Sequence, residues 1–249
     1  MGLGFLQQES FIFFPEKLPQ GHQFDFGLEH EEVFISAKDG VQLHGLLFKA
    51  NAPKGLVFYL HGNAGCVASW GSIAPTYTRL GYDIFMLDYR GYGKSGGQIS
   101  NERQFYEDVQ AAYDHLKAKY QESTIVVAGY SIGSAAAAML AAHNSPRLLL
   151  LQAPYYSLSD LVRTLYPFLP VFMLKYKFET FRFVEGTMTP IVLFHGDQDE
   201  IIYHGSSKKL KAHLKPTDKI IILKGQRHNG MNENPDFQRE LAKVLTKTN

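Results

Sequence analysis

The segment G-Y-S-I-G at positions 129–133 places a serine between two glycines in the pattern G-x-S-x-G. An apolar, β-branched run over positions 124–128 precedes it, and an alanine-rich run over 135–142 follows it. A strand, a sharp turn and a helix in this order are typical of a nucleophile elbow, where the turn projects the serine hydroxyl away from the backbone. The pattern therefore predicts nucleophilic chemistry at Ser131.

The two glycines of this segment have a steric explanation. Side chains at Gly129 and Gly133 would collide with the adjoining strand and helix if the turn is tight enough to expose the serine. The alternative interpretation is that the glycines only connect a strand to a helix, and that Ser131 takes no part in chemistry.

A serine hydroxyl is a weak nucleophile, so it needs a base that takes its proton and a group that orients the base. Around a G-x-S-x-G serine these groups follow in the chain order serine, acid, histidine. Asp199 comes just after a predicted strand at 191–194, and His228 comes just after another at 220–223. Open α/β sheets carry their sites at such carboxyl ends of strands. We therefore expect Asp199 and His228 to serve Ser131.

Other acids and histidines fit these roles less well. Asp197 follows Gly196, where its side chain is expected to fix the turn by accepting backbone N–H groups. Asp160 would require the acid to come from an irregular region between two strands. His61 precedes a glycine-rich turn and His204 precedes a helical stretch, so both histidines have structural explanations.

Attack by a serine on an acyl carbonyl creates an oxyanion, which needs two backbone N–H donors. One donor is expected from Ile132, the residue after the serine. The other is expected from the loop H-G-N-A-G at 61–65, where Asn63 is favoured and Ala64 is an alternative. The same loop could be a plain glycine turn, but it has neither the P-loop ending nor the Rossmann glycine spacing.

The elements that must position these residues alternate along the chain. Short apolar runs, typical of strands covered on both faces, occupy positions 56–60, 84–87, 125–128, 148–151, 191–194 and 220–223. Apolar residues recur at helical spacing within 105–116 and 237–245. Strands and helices that alternate in this way predict a single α/β domain over residues 1–249, with a mostly parallel sheet flanked by helices.

Two further segments complete the predicted fold. Positions 33–36 and 41–48 are predicted to form a β-hairpin around Asp39-Gly40. The stretch between Gln152 and Pro190 is too long, at about 35 residues, for an ordinary connection. Its many large apolar residues predict a small helical cap over 155–188, whose side chains pack into the core or line an acyl pocket.

Composition excludes several classes of protein. The chain has 25 basic and 24 acidic residues and a net charge of +1, so nucleic acid is not an expected partner. Its single cysteine, Cys66, excludes an internal disulfide and a cysteine zinc cluster, and no H-E-x-x-H spacing occurs. We therefore expect no metal and no cofactor.

Apolar stretches at positions 1–6 and 11–14 are each far shorter than the roughly 20 residues needed to span a bilayer. They also lack the features of a signal peptide, so a cytoplasmic location is expected. An alternative is peripheral membrane contact through positions 11–14 and the aromatic cap.

Five ordered motifs carry a resemblance to a known family. They are H-G-N-A-G at 61–65, D-Y-R-G-Y-G-K-S-G-G at 88–97, G-Y-S-I-G at 129–133, H-G-D-Q-D at 195–199 and R-H-N at 227–229. This set resembles the α/β-hydrolase superfamily and is similar to its abhydrolase-domain serine hydrolases, which include protein depalmitoylases and bacterial esterase-like proteins.

The resemblance implies roles for particular residues: Ser131 as nucleophile, His228 as general base and then acid, Asp199 as the carboxylate that orients it, and Asn63 and Ile132 as oxyanion donors. Arg90 would hold loops together. The implied reaction is hydrolysis of a carboxylic ester or thioester, on a small-molecule acyl ester or an acylated substrate. A peptidase or amidase of the same fold, or a non-catalytic binding protein that retains the fold, are the alternatives.

Overall fold

The structure is a computed structural model that describes residues 8–246. The apolar stretch at positions 1–6 lies outside these residues. Within the described residues there are ten strands: β1 (Phe14–Pro15), β2 (His30–Ser36), β3 (Gln42–Phe48), β4 (Leu56–Leu60), β5 (Ala64–Gly65), β6 (Asp83–Asp88), β7 (Ile125–Tyr130), β8 (Leu148–Gln152), β9 (Ile191–Gly196) and β10 (Lys219–Leu223). Each of the six predicted apolar runs lies within one of these strands.

Eight of the strands form one central sheet in the order β10-β9-β8-β7-β4-β6-β3-β2. The strands from β10 to β6 are parallel, whereas β3 runs antiparallel to both β6 and β2. The predicted hairpin is present: Ser36 pairs with Gln42 across a short loop in which Gly40 has a φ of +84°. The predicted mostly parallel sheet is therefore confirmed.

Helices cover the sheet: α1 (Gln8–Ile12), α2 (Val67–Trp70), α3 (Ala74–Thr78), α4 (Glu102–Lys117), α5 (Gly133–His143), α6 (Leu158–Leu165), α7 (Thr180–Gly186), α8 (Gly205–Leu210) and α9 (Pro235–Thr246). Helix α4 begins at the Asn101 cap, whose side chain accepts a hydrogen bond from the Gln104 N–H. Its apolar stripe, including Phe105 and Leu116, is buried as the spacing predicts.

The sheet has an apolar core on each face, because successive strand residues point to opposite sides. In β4, Phe58 packs into the core that contains α4 and α5, whereas Val57 and Tyr59 pack into the core that contains α9. Burial on both faces explains why the central strands read as continuous apolar runs rather than alternating ones.

The segment 155–188 contains α6 and α7 and divides into a buried and an exposed part. Phe178 is fully buried, whereas Phe168 and Phe172 are 98% and 84% exposed. The exposed aromatic residues therefore neither pack into the core nor line an enclosed pocket. Within residues 8–246, no helix has the length and hydropathy to cross a membrane.

Arg90 joins three separate parts of the fold, as the resemblance implied. Its guanidinium makes paired hydrogen bonds to Asp39 of the hairpin loop, at 2.7 and 2.8 Å, and to Asp108 of α4, at 2.5 and 2.8 Å. The hydrogen bonds from Arg90 to Asp39 lower the pKa of that carboxyl to about 2. The Arg90 side chain is only 5% exposed, so the loop after β6 is held by a guanidinium that is shielded from solvent.

Candidate active site

Ser131 lies in the sharp turn between β7 and α5. Its φ is +53°, in the left-handed region that residues other than glycine rarely adopt. The turn is held from both sides, since the Ser131 N–H donates to the Gln152 carbonyl at 2.9 Å and the Ser134 hydroxyl donates to the Ser131 carbonyl at 2.6 Å. A strained backbone that neighbouring bonds maintain is a common feature of functional sites.

The glycines on either side of Ser131 are required by close packing. A Cβ at Gly129 would lie 2.6 Å from the Ala137 Cβ, and a Cβ at Gly133 would overlap the Leu60 carbonyl oxygen. Both separations are too short for a real side chain. The steric reason predicted for these glycines is therefore confirmed, and the turn cannot relax into an ordinary connector without moving α5.

Ser131, His228 and Asp199 form one hydrogen-bonded series. The His228 Nε2 lies 3.1 Å from the Ser131 Oγ, and the His228 Nδ1 lies 2.7 Å from Asp199 Oδ2. Because an ionised carboxylate only accepts, Nδ1 carries the proton and Nε2 is left to accept from the serine hydroxyl. Ser131 is 9% exposed and His228 is 4% exposed. This arrangement can take a proton from the serine as it attacks an acyl carbon.

Asp199 is held by four donors. Its Oδ1 accepts the backbone N–H groups of Ile201 and Ile202 at 2.9 and 2.8 Å. Its Oδ2 accepts from His228, and the His195 Nε2 lies 3.2 Å away. Burial alone would raise the pKa of Asp199, but the hydrogen bonds from both histidines outweigh it, and the pKa lies well below the usual range. Asp199 is therefore ionised at neutral pH.

His195 is a residue of this site that the sequence analysis did not single out. It is fully buried in β9, and its Nδ1 lies 2.6 Å from the Ser207 hydroxyl. Its Nε2 lies 2.8 Å from the Ile202 carbonyl, which can only accept, so Nε2 carries the proton and also faces Asp199. The only signal in the sequence is the four-residue spacing between His195 and Asp199 in the H-G-D-Q-D motif.

The loop that carries His228 is fixed through its own backbone. The Tyr130 hydroxyl donates to the His228 carbonyl, and the Glu200 carboxylate accepts the His228 N–H at 3.2 Å. Glu200 also pairs with Arg227 at 3.1 Å. Gly230, two residues further on, has a φ of +78°, which turns the chain back towards α9. The imidazole is therefore positioned by bonds on both sides of its residue.

The alternative acids and histidines have other partners. Asp197 accepts the Gly225 N–H at 2.7 Å and so fixes the turn, as predicted. Asp160 binds Lys209 at 2.6 Å. His61 is buried, which lowers its pKa, and its Nδ1 faces the Gly62 carbonyl at 2.7 Å.

The two expected oxyanion donors come from different elements. Ile132 lies at the N-terminal end of α5, where backbone N–H groups have no partner within the helix. Asn63 and Ala64 lie in the loop at 61–65 after β4, and Ala64 belongs to β5, which pairs with β1. The Asn63 side chain, for which the sequence suggested no role, makes three hydrogen bonds to neighbouring segments.

Comparison with known proteins identifies the family. A family model described as serine aminopeptidase, S33, matches residues 51–187, which is more than half of the chain. The chain belongs to this family. Both the resemblance to α/β hydrolases and the predicted fold class are thereby confirmed. The match includes Ser131 and the loop at 61–65 but ends before Asp199 and His228. The positions of these two residues beside Ser131 come from the structure alone.

Relatives and solved structures agree with the family. The chain is 29% identical to protein bem46 of Schizosaccharomyces pombe, over 81% of this chain and 74% of that protein. It is also 29% identical to the α/β hydrolase domain-containing protein WAV2 of Arabidopsis thaliana, over 74% and 67%. The Pyrococcus furiosus esterase Pf2001 superposes with a TM-score of 0.74 at 19% identity and covers 94% of this chain and 97% of its own. The S33-family protein therefore belongs to a hydrolase family and has the α/β-hydrolase fold.

Proposed function

We propose that this S33-family protein is a serine hydrolase that cleaves a carboxylic ester or thioester through an acyl-enzyme. The observation that carries the proposal is the hydrogen-bonded series in which His228 lies 3.1 Å from the Ser131 hydroxyl and 2.7 Å from Asp199. A binding protein that only retained the fold would have no need for this alignment or for the strained serine. The geometry therefore favours catalysis over binding.

In the first half of the proposed reaction, the Ser131 Oγ attacks the acyl carbonyl carbon while His228 Nε2 takes the hydroxyl proton. The carbonyl oxygen becomes an oxyanion, which the backbone N–H groups of Ile132 and Asn63 stabilise, with Ala64 as the alternative second donor. When the tetrahedral intermediate collapses, the bond to the leaving group breaks and His228 returns its proton to the departing alkoxide or thiolate. The products of this half are an acyl-serine and a free alcohol or thiol.

In the second half, His228 takes a proton from water, and the resulting hydroxide attacks the acyl-serine carbon. Collapse of the second intermediate releases the carboxylic acid, and the proton returns to Ser131 from His228. Asp199 remains ionised throughout and stabilises the imidazolium that forms in each half. The depressed pKa of Asp199 supports this role, because its carboxylate stays charged at any pH where the histidine can act as a base.

The family description makes an aminopeptidase the second candidate function. An aminopeptidase must bind the free amino group of its substrate, and a carboxylate near the serine is the usual partner for a cation. Of the two carboxylates that contact His228, Asp199 is buried and Glu200 already pairs with Arg227 and with the His228 N–H. Because both carboxylates already have partners, neither is free to bind a substrate amino group, which supports acyl esters as the better substrates.

The test combines two measurements on the purified protein. Turnover is followed with p-nitrophenyl esters of two to sixteen carbons and with aminoacyl p-nitroanilides, and the reactive serine is labelled with a fluorophosphonate probe. Wild type is expected to hydrolyse esters faster than anilides and to label, whereas Ser131→Ala loses both activities. Ser72→Ala, which removes an exposed hydroxyl that donates to the Ser69 carbonyl, is the control. Unchanged labelling of Ser131→Ala contradicts the proposal, and faster anilide cleavage favours the aminopeptidase.

We also propose that the exposed cap face contacts an anionic lipid surface. This face consists of Leu165, Tyr166, Phe168, Leu169 and Phe172, each of which is about half exposed or more. The surrounding stretch 161–178 contains Arg163 and Lys177 but neither aspartate nor glutamate, and its third basic residue, Lys175, pairs with Glu9 at 3.3 Å. Exposed aromatic side chains with a basic surround are typical of peripheral membrane contact. Such contact would bring acyl chains to the site.

Co-sedimentation with vesicles tests this contact. We expect binding to vesicles that contain phosphatidylserine and weaker binding to phosphatidylcholine alone, with a loss of at least about five-fold in affinity when Phe168 and Phe172 are both changed to serine. Phe34→Ser is the matched control, since Phe34 is 48% exposed on the hairpin strand β2. Equal binding by the cap variant and wild type, or no binding by either, contradicts the proposal.

A further inference from the structure

The segment of residues 8–18, here called the N-terminal strap, runs alongside the loop at 61–65, which is expected to supply an oxyanion donor. Within it, β1 pairs in parallel with β5, so that Phe14 lies beside Ala64 and Pro15 beside Gly65. The pairing continues past β1, because the Glu16 N–H donates to the Gly65 carbonyl at 3.1 Å. The strap thus lies against the loop at 61–65 from Phe14 to Glu16, and its last residues, Lys17 and Leu18, lie against Gly93.

The Asn63 side chain ties the loop to the strap. Its Nδ2 donates to the Ile12 carbonyl at 2.5 Å, and its Oδ1 accepts the Phe14 N–H at 3.2 Å. The same Oδ1 accepts the Tyr92 hydroxyl at 3.1 Å. Three bonds from one amide, directed into two other segments, leave the side chain no freedom to rotate. Residue 63 is therefore restrained by contacts outside its own loop.

The other end of the strap is attached to the cap. The Gln8 amide donates to the Met173 carbonyl at 2.8 Å and accepts the Lys175 N–H at 2.9 Å. Glu9 accepts the Tyr176 hydroxyl at 2.9 Å. Between these ties, Phe13 is 5% exposed and packs edge-on against Tyr176, with ring centroids 5.3 Å apart. The strap therefore connects the cap segment 173–178 to the loop at 61–65.

We propose that the Asn63 side chain is a positioning group of the oxyanion site, and that the N-terminal strap links its position to that of the cap. The inference rests on the proposed function, since it assigns the strap to the same site. An oxyanion donor contributes only when its N–H points at the oxygen that becomes charged, and an error of about 1 Å in placement can lower a rate by about 100-fold. The side chain and the strap supply that orientation.

Asn63→Ala is the central variant, because it keeps the backbone N–H and removes only the three side-chain bonds. We expect its kcat on a p-nitrophenyl ester to fall about 10- to 100-fold while KM stays within about three-fold of wild type. A trifluoromethyl ketone, which forms an oxyanion when Ser131 adds to it, should lose affinity by a similar factor. Gln20→Ala is the control, since its amide bonds the Lys94 carbonyl away from the loop.

Two further variants keep the test decisive. Tyr92→Phe removes one bond to the Asn63 Oδ1 without removing the ring, and it should lower kcat by about two- to ten-fold with an unchanged KM. Gln8→Ala removes two of the hydrogen bonds between the strap and the cap. It should lower kcat in wild type but have no further effect in the Asn63→Ala background, because the link to the loop is then already broken.

The outcomes separate this inference from the proposed function. Wild type without ester hydrolysis contradicts the proposed function itself. Active wild type with kcat unchanged in Asn63→Ala and Tyr92→Phe overturns the positioning role, as does a fall in thermal stability with no change in kcat or in ketone affinity. Additive effects of Gln8→Ala and Asn63→Ala overturn the link to the cap.

Discussion

The Nε2 of His195 lies 3.2 Å from Asp199 Oδ2, the oxygen that also accepts the hydrogen bond from His228. One carboxylate thus has two imidazole partners, of which one faces Ser131 and the other is buried in β9. His195 cannot reach the serine, but it affects both the direction and the charge of the group that orients His228.

Removal of this second donor is expected to slow catalysis. In His195→Leu the pKa of Asp199 rises and its carboxylate loses one of four bonds, so we expect kcat to fall about 10-fold, as for other outer partners of site residues. His195→Gln can place an amide donor near the same position and should recover part of the loss. Equal losses in the two variants would mean that packing, not the donated bond, is what His195 contributes.

Loss of the charge on Asp199 is expected to have a larger effect. Asp199→Asn leaves His228 without the carboxylate that sets its tautomer, so turnover of a p-nitrophenyl ester should fall by up to about 10⁴-fold. Steady-state kinetics on the folded variant measure this loss. A variant that retains more than about a tenth of the wild-type kcat would show that another group orients His228.

The same substitution should change how stability depends on pH. Burial raises the pKa of Asp199, but hydrogen bonds from His195 and His228 lower it by more, so that the pKa lies well below the usual value of about 3.9. The unfolded chain therefore binds a proton near pH 4 while the folded chain does not. The stability that Asp199 contributes is present above about pH 4 and is lost as the pH falls towards the folded pKa. Urea unfolding from about pH 6 to 3 should show a shallower decline for Asp199→Asn than for wild type.

The elbow should not tolerate a methyl group. Gly133→Ala places a Cβ on the Leu60 carbonyl oxygen, so we expect the free energy of unfolding to fall by at least about 1–3 kcal/mol, as in overpacked cores. Urea denaturation measures the change. Gly21→Ala is the matched control, because a Cβ there has open space around it. Equal stabilities of the two variants would mean that α5 moves away at little cost.

Arg90 is expected to be essential for stability, because its removal leaves a buried carboxylate without a partner. Arg90→Met abandons Asp108, which is buried on α4 and whose pKa burial already raises, so a loss of about 3–5 kcal/mol in stability is expected. Adding Asp108→Leu removes the unpaired charge and should restore much of that loss. If the double variant is no more stable than Arg90→Met, the contribution of Arg90 lies in its bonds to Asp39 instead.

Much of this molecule follows from patterns that are local in sequence. The six central strands are continuous apolar runs, whereas the hairpin has its turn residues and helix α4 its helical spacing. Ser131, Asp199 and His228 follow β7, β9 and β10, at the same edge of the sheet. Burial then brings the three side chains within hydrogen-bond distance. A motif that stands at the end of a strand is predictable because the sheet itself determines where it lies.

What could not be predicted depends on contacts between distant segments. The pairing of β1 with β5 involves two residues on each side, about 50 positions apart, which is too short for any alternation to appear. The role of the Asn63 side chain follows from that pairing and was missed with it. The apolar character of the cap likewise could not separate Phe178, which is buried, from Phe168, which is exposed, because both look alike in sequence.

The parallel pairing of β1 with β5 has a practical side for anyone who handles this protein. A purification tag at the N-terminus would precede the strap, which bonds the cap at Gln8 and pairs with the loop of Asn63 at Phe14 and Pro15. A tag at the C-terminus would follow α9, which packs against the other face of the sheet through Phe237, Leu241 and Leu245. Recombinant preparations that differ only in which end carries the tag are therefore not equivalent reagents, and assays of this enzyme are best compared between C-terminally tagged samples.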